Sequence, residues 1–249
     1  MAKIIHYLIL VLLLTLSIAS FAKQELRIGV GNFPPFFIEK GERGLFLEIT
    51  NEIFKHLPEY QIKYVFMSNH RLAYEINSGQ LIDVACNIFA NSKVNAFLSE
   101  PLFRYTDVAI TRKDKHYQIN SIDDLQDLSI AAYQGAKDLL GEKYRLMAES
   151  NSQYSEHAHP KDTTFLMVSG AKDVRVGDIN IFLHDIYNPH IRAKKPLDVK
   201  DFTIHPLWAN VYSYMAFKDE AIRNKVNKVI KTLKQDGSIE AIYTKYHIQ

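Results

Sequence analysis

Asp178 stands where a carboxylate could bind a positively charged ligand. It closes "DVRVGD" (173–178), which is typical of a buried strand, and "INIFLHDIY" (179–187), typical of a helix, follows it. A buried carboxylate is costly without a partner, so a cationic group of a ligand would suit this position. Aspartate is also a favoured N-cap residue, and the helix could use it in that way. The two roles are compatible.

A polar bend between two apolar runs, "CNIFANSKVNAFLSEPLF", offers a second set of groups. Lys93 is the only cation between Arg71 and Arg104. It could bind an anion, but a lysine is a point charge and does not provide the two-pronged fork of an arginine. Asn87 can both donate and accept hydrogen bonds. Arg71, at the start of a predicted helix, could add a second cation or simply face solvent, as most arginines do.

Metal and disulfide chemistry have little support. His157 and His159 in "HAHP" could suggest a metal, but no second group of ligands accompanies them, so we predict a loop and no metal site. Cys86 is the only cysteine, which excludes an internal disulfide. Its apolar surroundings favour a small buried thiol over a reactive one. We predict no cofactor.

Alternating strands and helices must position these residues. Predicted strands are "LRIGVG", "YQIKYVFM" and "LIDVACNIF", and predicted helices are "GLFLEITNEIFKHL" and "NHRLAYEINSG". The pattern restarts in "DVAITRK", "SIAAYQGAKDLLGEKYRLM" and "TTFLMVSGAKDVRVGDINIFLHDIY". The chain closes on a long amphipathic helix, a break at Gly237 and a second short helix. This alternation predicts an α/β fold with parallel sheets and crossover helices.

Composition and the N-terminus narrow the function. The chain has 249 residues with 30 Lys and Arg against 28 Asp and Glu, and no long basic block, so a nucleic-acid partner is not supported. Residues 1–22 combine Lys3, an apolar run and small residues up to Ala22, which predicts a cleaved signal peptide rather than a membrane anchor. Its removal leaves 29 basic and 28 acidic side chains, a formal charge of +1.

Motifs that follow one another along nearly all of the remaining chain resemble the bacterial extracellular solute-binding proteins of family 3, the periplasmic binding proteins for polar amino acids. They are "GVGNFPPF", "GLFLEITNEIFK", "SGQLIDVA", "FLSEPLF", "IAAYQGAKD", "SGAKDVRVGD" and "LKQDGSIEAIYTKY". The resemblance implies an α/β, two-lobed, type II periplasmic binding protein fold, in which each lobe is a mainly parallel sheet flanked by helices. We place lobe 1 at 23–108 plus 210–249 and lobe 2 at 109–209, joined by two crossing strands. A ligand would bind in the cleft, and the lobes would close over it.

The resemblance also implies roles for single residues. Phe33 matches an aromatic residue that covers the ligand, although packing between the lobes is an alternative. Asp178 matches an aspartate that accepts from a ligand ammonium group. Gly135 matches a turn whose backbone amides bind a ligand carboxylate, but Ala136 replaces the threonine of the family.

One departure from the family pattern concerns the polar bend. The family's arginine, which grips the ligand carboxylate, has no counterpart, and Ser92, Lys93 or Val94 takes its place depending on the alignment. Asn87 stands where a hydroxyl residue usually contacts the ligand. Arg71, at a helix start that faces the cleft in the family, could compensate. An ordinary α-amino acid is therefore less strongly indicated than a related polar solute.

These observations predict an exported, monomeric, non-enzymatic receptor in the periplasm. It would capture a small polar or amino-acid-like ligand and deliver it to an ABC-type importer in the inner membrane. One alternative is a periplasmic sensor or degenerate receptor without a transport role. Another is an enzyme of the cyclohexadienyl dehydratase kind, because a fold alone does not assign chemistry. The missing arginine argues against the acidic substrates of such an enzyme.

Overall fold

A computed structural model describes residues 23–187 and 196–248. The predicted signal peptide (1–22) lies outside the described residues. None of the described helices is long and apolar enough to cross a membrane.

The chain alternates strands and helices as the sequence predicts. The first half contains β1 (Gln24–Val30), α1 (Leu45–Lys55), β2 (Tyr60–Phe66), α2 (Asn69–Asn77), β3 (Val84–Phe89), β4 (Phe97–Leu98), β5 (Phe103–Tyr105), β6 (Asp107–Arg112), β7 (Ile130–Tyr133), α3 (Ala136–Leu139) and α4 (Glu142–Ser150). The second half contains β8 (Tyr154–His157), α5 (Pro160–Ser169), β9 (Val174–Asp178), α6 (Ile179–Ile186), β10 (Phe202–His205), β11 (Val211–Phe217), α7 (Glu220–Gln235) and α8 (Ser238–Ile248). Short 3₁₀ turns at Lys113–Lys115, Ile122–Leu125 and Val199–Asp201 complete it.

Two sheets organise these elements. In the first sheet the order is β2-β1-β3-β11-β4, and β5 also pairs with β11. In the second sheet the order is β10-β6-β9-β7-β8. The parallel pairs are β1 with β2 and β3, and β7 with β8 and β9. The other pairs are antiparallel: β11 with β3, β4 and β5 in the first sheet, and β6 with β9 and β10 in the second.

The crossing between the sheets is short. β5 ends at Tyr105 in the first sheet and β6 begins at Asp107 in the second, so Thr106 alone joins them. The chain returns from β10 to β11 through residues 206–210. The lobe boundary that we predicted, between residues 108 and 109, falls inside β6. This arrangement places the end of the first sheet directly beside the start of a strand of the second.

An aromatic cluster fills the core beside the first sheet. Phe36, Phe37, Phe46 and Phe103 are fully buried, and the rings of Phe36 and Phe46 stack at 4.3 Å between centroids. Burial of one such side chain contributes about 1.5–3 kcal/mol. Cys86 is also buried, as predicted, and burial raises the pKa of its thiol to about 12.

The closing helices are fixed by their apolar faces and caps. In α7 the buried residues Ile222, Val226, Ile230 and Leu233 recur at helical spacing, which confirms the amphipathic pattern. The side chain of Asp219 caps the helix by accepting from the amides of Ala221 and Ile222, at 2.7 and 3.0 Å. The break at Gly237 separates α7 from α8, as predicted.

Candidate functional site

Asp178 joins the two sheets through its carboxylate. It ends β9 and caps α6, with Oδ1 accepting from the amides of Asn180 (2.7 Å) and Ile181 (3.3 Å). Oδ2 accepts from the amide of Thr106 at 2.7 Å, within the crossing between the sheets. Only 4% of Asp178 is exposed, and burial raises the pKa of its carboxyl despite these hydrogen bonds. The cap predicted from the sequence is present, and the contact with the crossing is additional.

Asp107 lies beside Asp178, on the neighbouring strand of the second sheet. The two residues are partners in the antiparallel pairing of β6 and β9. The hydroxyl of Tyr133, at the end of β7, donates to Asp107 Oδ2 at 3.3 Å. Its ring passes over Gly177, where a Cβ would lie 3.3 Å from the ring. Asp107 is not among the residues predicted for the site, and its position at the start of a strand is the only signal for it in the sequence.

The charge of Asp107 depends on pH near neutrality. Burial and then repulsion from Asp178 raise the pKa of Asp107 to about 7, although Arg175 and Tyr133 oppose the shift. An acid whose pKa is raised in the folded protein stabilises the fold at low pH, and that contribution is lost as the pH rises through its folded pKa.

We therefore expect the free energy of unfolding of the wild type to fall between about pH 4 and pH 7, relative to Asp107→Asn. For one proton the difference should change by at most about 1.4 kcal/mol per pH unit. Urea denaturation of both proteins at pH 5, 6, 7 and 8 measures this. Parallel stability profiles for the two proteins would contradict it.

Arg175 is a buried cation in the middle of β9. It is 1% exposed, its Nε donates to Thr164 Oγ1 at 3.0 Å, and its Nη1 donates to the carbonyl of Asp178 at 3.3 Å. Burial lowers the pKa of its guanidinium, and Asp185, Asp178 and Asp107 counteract the shift. Asp185 is itself tied to Thr164, which donates to it at 2.7 Å. The only sign of a buried cation in the sequence is the position of Arg175 inside an otherwise apolar strand.

The turn after β7 already holds a carboxylate of the protein. Gly135 and Lys137 donate their backbone amides to the two oxygens of Glu156, at 2.7 and 3.0 Å. Tyr154 adds its hydroxyl at 2.8 Å. Burial opposes ionisation of Glu156, but these hydrogen bonds outweigh it and hold the pKa of the carboxyl below its usual value. Ala136 is fully buried at the start of α3.

In the first sheet, Asn87 contributes a buried side-chain amide to the candidate site. It lies near the end of β3 with a φ of 64°, at an irregularity in the pairing of β3 with β11, and 5% of it is exposed. Its Oδ1 accepts from the hydroxyls of Tyr105 (2.6 Å) and Ser213 (2.8 Å). Burial raises the pKa of the Tyr105 phenol well above its usual value, and the nearby charge of Asp178 adds to this. Tyr105 thus hydrogen-bonds Asn87 and lies within the electrostatic influence of Asp178.

Aromatic rings border the same region. Tyr105 stacks on Phe89, with 5.7 Å between ring centroids. Phe33 is half-buried and meets Phe36 and Phe37 edge to face, at 5.8 and 5.4 Å. Phe33 therefore packs against the core of the first sheet while keeping part of its ring accessible.

Lys93 and Arg71 lie elsewhere, against α2. Lys93 is exposed, and its carbonyl accepts from Asn77 at the end of that helix, at 3.1 Å. The Arg71 guanidinium binds the buried carboxylate of Glu75, with Nε 2.7 Å from Oε1. The contacts of these two cations thus do not join them to Asn87 or Asp178. Across residues 23–187 and 196–248, no group of three or more His, Cys, Asp or Glu side chains could hold a metal ion.

The two sheets, each flanked by helices, form a type II periplasmic binding protein fold. The chain matches the bacterial extracellular solute-binding proteins, family 3, over residues 26–249 and belongs to that family. No protein of curated function matches it.

Solved structures agree on the fold. The GluR0 ligand-binding core in complex with L-glutamate has 14% identity and a TM-score of 0.67, covering 90% of this chain and 98% of its own. An ancestral cationic amino acid solute-binding protein has 20% identity and a TM-score of 0.68, covering 91% and 96%. A histidine kinase sensor domain with similarity to periplasmic binding proteins has 16% identity and a TM-score of 0.63, covering 90% and 96%. At such identities the likeness shows the fold alone.

Proposed function

We propose that this solute-binding protein is a monomeric periplasmic receptor that captures a small polar, amino-acid-like solute and delivers it to an ABC-type importer. The solute would bind between two lobes, 23–108 plus 210–249 and 109–209, which close over it. The observation that carries the proposal is the contact between Asp178 of the second sheet and Thr106 in the crossing. It brings a buried carboxylate close to the Tyr105–Asn87 pair of the first sheet, and the ligand would bind beside these groups.

The chemistry of this region suits a ligand with an amino group. Asp178 and Asp107 supply negative charge, and Phe33, Phe89 and Tyr105 supply aromatic faces that attract cations. Gly135, Ala136 and Asn87 would complete the pocket wall, with the Asn87 amide as the neutral hydrogen-bonding group. Lys93 and Arg71 would lie at its edge, because their present contacts are with α2. The amino-acid ligands of the structural relatives are compatible with this class of solute.

Mass spectrometry of the small molecule that co-purifies with the natively exported protein tests the proposal most directly. Titration calorimetry with a panel of amino acids, amines and small acids follows. We expect one amine-bearing solute to bind and, if the receptor serves an importer, to be taken up by cells that contain a permease encoded beside this chain. Absence of any bound or titratable solute would contradict the receptor function.

A catalytic role is a weaker candidate. One structural relative is described as a precursor of cyclohexadienyl dehydratase. Asp178 has both oxygens engaged by backbone amides, which leaves it poorly placed to act as a general base. We expect no aromatic product when the purified protein is incubated with prephenate or arogenate.

A sensing role is the other candidate, since a histidine kinase sensor domain has the same fold. A permease gene beside the gene for this chain would favour transport, whereas a gene without one would favour sensing.

A further inference from the structure

The turn at the end of β7 has donors for an anion, but the protein itself has taken them. Glu156 accepts from both Gly135 and Lys137, one amide for each of its oxygens. The arrangement follows from the sheet, because β8 lies parallel to β7 with Glu156 opposite Ala132. Gly135 and Lys137 follow the end of β7 and lie within reach of this side chain. A carboxylate from solution would have to displace an ionised carboxylate that is already hydrogen-bonded three times.

The other charges at this end of the second sheet are also unfavourable for a carboxylate. Asp107 and Asp178 are adjacent in the pairing of β6 and β9. Lys137, on the turn itself, already helps to stabilise the ionised Glu156 carboxylate. Arg175, a second nearby cation, is 1% exposed with Asp185, Asp178 and Asp107 around it. Its charge is therefore already balanced within the protein, and its guanidinium is not open to a ligand.

The first sheet contains cations, but the described contacts of their side chains do not join them to Asn87 or Asp178. Its contributions are the Asn87 amide, the Tyr105 ring and the accessible part of Phe33. Arg104, the neighbour of Tyr105 on β5, pairs with Glu240. Arg71 binds Glu75, and Lys93 is exposed. Aromatic faces beside carboxylates attract organic cations and give an anion nothing to bind.

We infer that Glu156 is a specificity-determining residue that makes the cleft select organic cations lacking a carboxylate group, such as amines and guanidines, over the corresponding amino acids. This inference rests on the proposed receptor function and names the class of solute for the same cleft. Glu156 takes the place that a ligand carboxylate would need, and its charge repels one.

Three pairs of compounds that differ only in the carboxylate test the inference. They are agmatine and arginine, cadaverine and lysine, and histamine and histidine. Titration calorimetry of the full mature chain should show that the decarboxylated member of the best-bound pair binds at least about tenfold more tightly, the expected scale for a charged hydrogen-bonding conflict. An amino acid that binds as tightly as its decarboxylated partner would overturn the inference.

A variant of Glu156 tests the residue itself. Glu156→Gln keeps the size and one acceptor, but its NH₂ group cannot accept from the second amide, so one backbone donor is released. We expect the preference for the decarboxylated compound to fall at least about threefold, on the same scale. Glu149→Gln removes a negative charge from the surface of α4, where Glu149 pairs with Arg145, and should leave the preference unchanged. An unaltered preference in Glu156→Gln would assign the selectivity to other residues and contradict the inference.

The two proposals fail in different ways. If an amino acid is preferred, the receptor function stands and only the inference is lost. If none of the six compounds binds, the chemical structure of a co-purified ligand tests the inference instead. A ligand with a carboxylate group overturns the inference, and a cationic ligand without one supports it. If no small molecule binds or co-purifies at all, the receptor function fails and the inference fails with it. Thermal melting shows whether Glu156→Gln is folded, and the wild-type pairs decide the selectivity in either case.

Discussion

Replacing Arg175 with alanine is expected to lower the free energy of unfolding by about 3–5 kcal/mol, the usual result when one partner of a buried charge cluster is removed. Arg175 is 1% exposed and stands among Asp107, Asp178 and Asp185. Without its guanidinium these carboxylates would repel one another in a region of low dielectric, and the Thr164 hydroxyl and the Asp178 carbonyl would lose a donor. Urea denaturation at pH 7 measures the change.

Arg112 provides the matched control. It belongs to β6 in the same sheet, and its guanidinium pairs with Asp114 at the protein surface. Exposed pairs contribute little, so Arg112→Ala should cost about 1 kcal/mol or less. The pH dependence of the free energy of unfolding distinguishes the two alanine variants further. Loss of Arg175 raises the pKa of the surrounding carboxyls, so Arg175→Ala should be most stable in mild acid. Equal costs for the two alanine variants would show that the buried cluster does not depend on its cation.

Replacing Asp178 with asparagine is expected to weaken the binding of an amine-bearing solute by about tenfold to a hundredfold, since a hydrogen bond to a charged group contributes about 1.5–3 kcal/mol. The carbonyl oxygen of the asparagine can replace Oδ1 of Asp178 and still accept from the amides of Asn180 and Ile181. Its NH₂ group would then meet the amide of Thr106, so two donors would face each other at the crossing. Titration calorimetry with the tightest-binding amine of the panel measures the loss.

Asp219 is the control for this variant. It caps α7 with nearly the same geometry, accepting from two successive backbone amides, but on a helix away from the candidate site. Asparagine is about as good a cap as aspartate, so Asp219→Asn should change neither stability nor solute affinity appreciably. An affinity in Asp178→Asn that matches that of Asp219→Asn would mean that Asp178 acts only as a helix cap.

Much of the fold was predictable because its signals are local. The strand "LRIGVG", the helix "GLFLEITNEIFKHL" and the break at Gly237 all depend on the spacing of apolar residues and on residues that end helices, and each is confirmed. The short strands β4, β5, β8 and β10 were not predicted individually. A strand of two to four residues has too little periodicity to be recognised, and it forms because a neighbouring strand offers hydrogen-bonding groups.

The candidate site was less predictable, since its partners come from different parts of the chain. Asp178 was expected both to cap a helix and to contact a ligand; the cap is confirmed, and the contact stays a prediction. The family resemblance also drew attention to Gly135, Asn87 and the missing arginine. Nothing local indicated that Asp107 would face Asp178, because that depends on the pairing of β6 with β9.

The sequence by itself determined the longer strands and helices, the cap at Asp178, the single buried thiol and the family to which the chain belongs. These properties follow from residues that are close together in the chain, or from a pattern that extends over its whole length. Only the tertiary structure decided which charges neutralise one another. Gly135 appeared in the sequence as a free anion-binding turn, and the parallel pairing of β7 with β8 places the carboxylate of Glu156 on its amide.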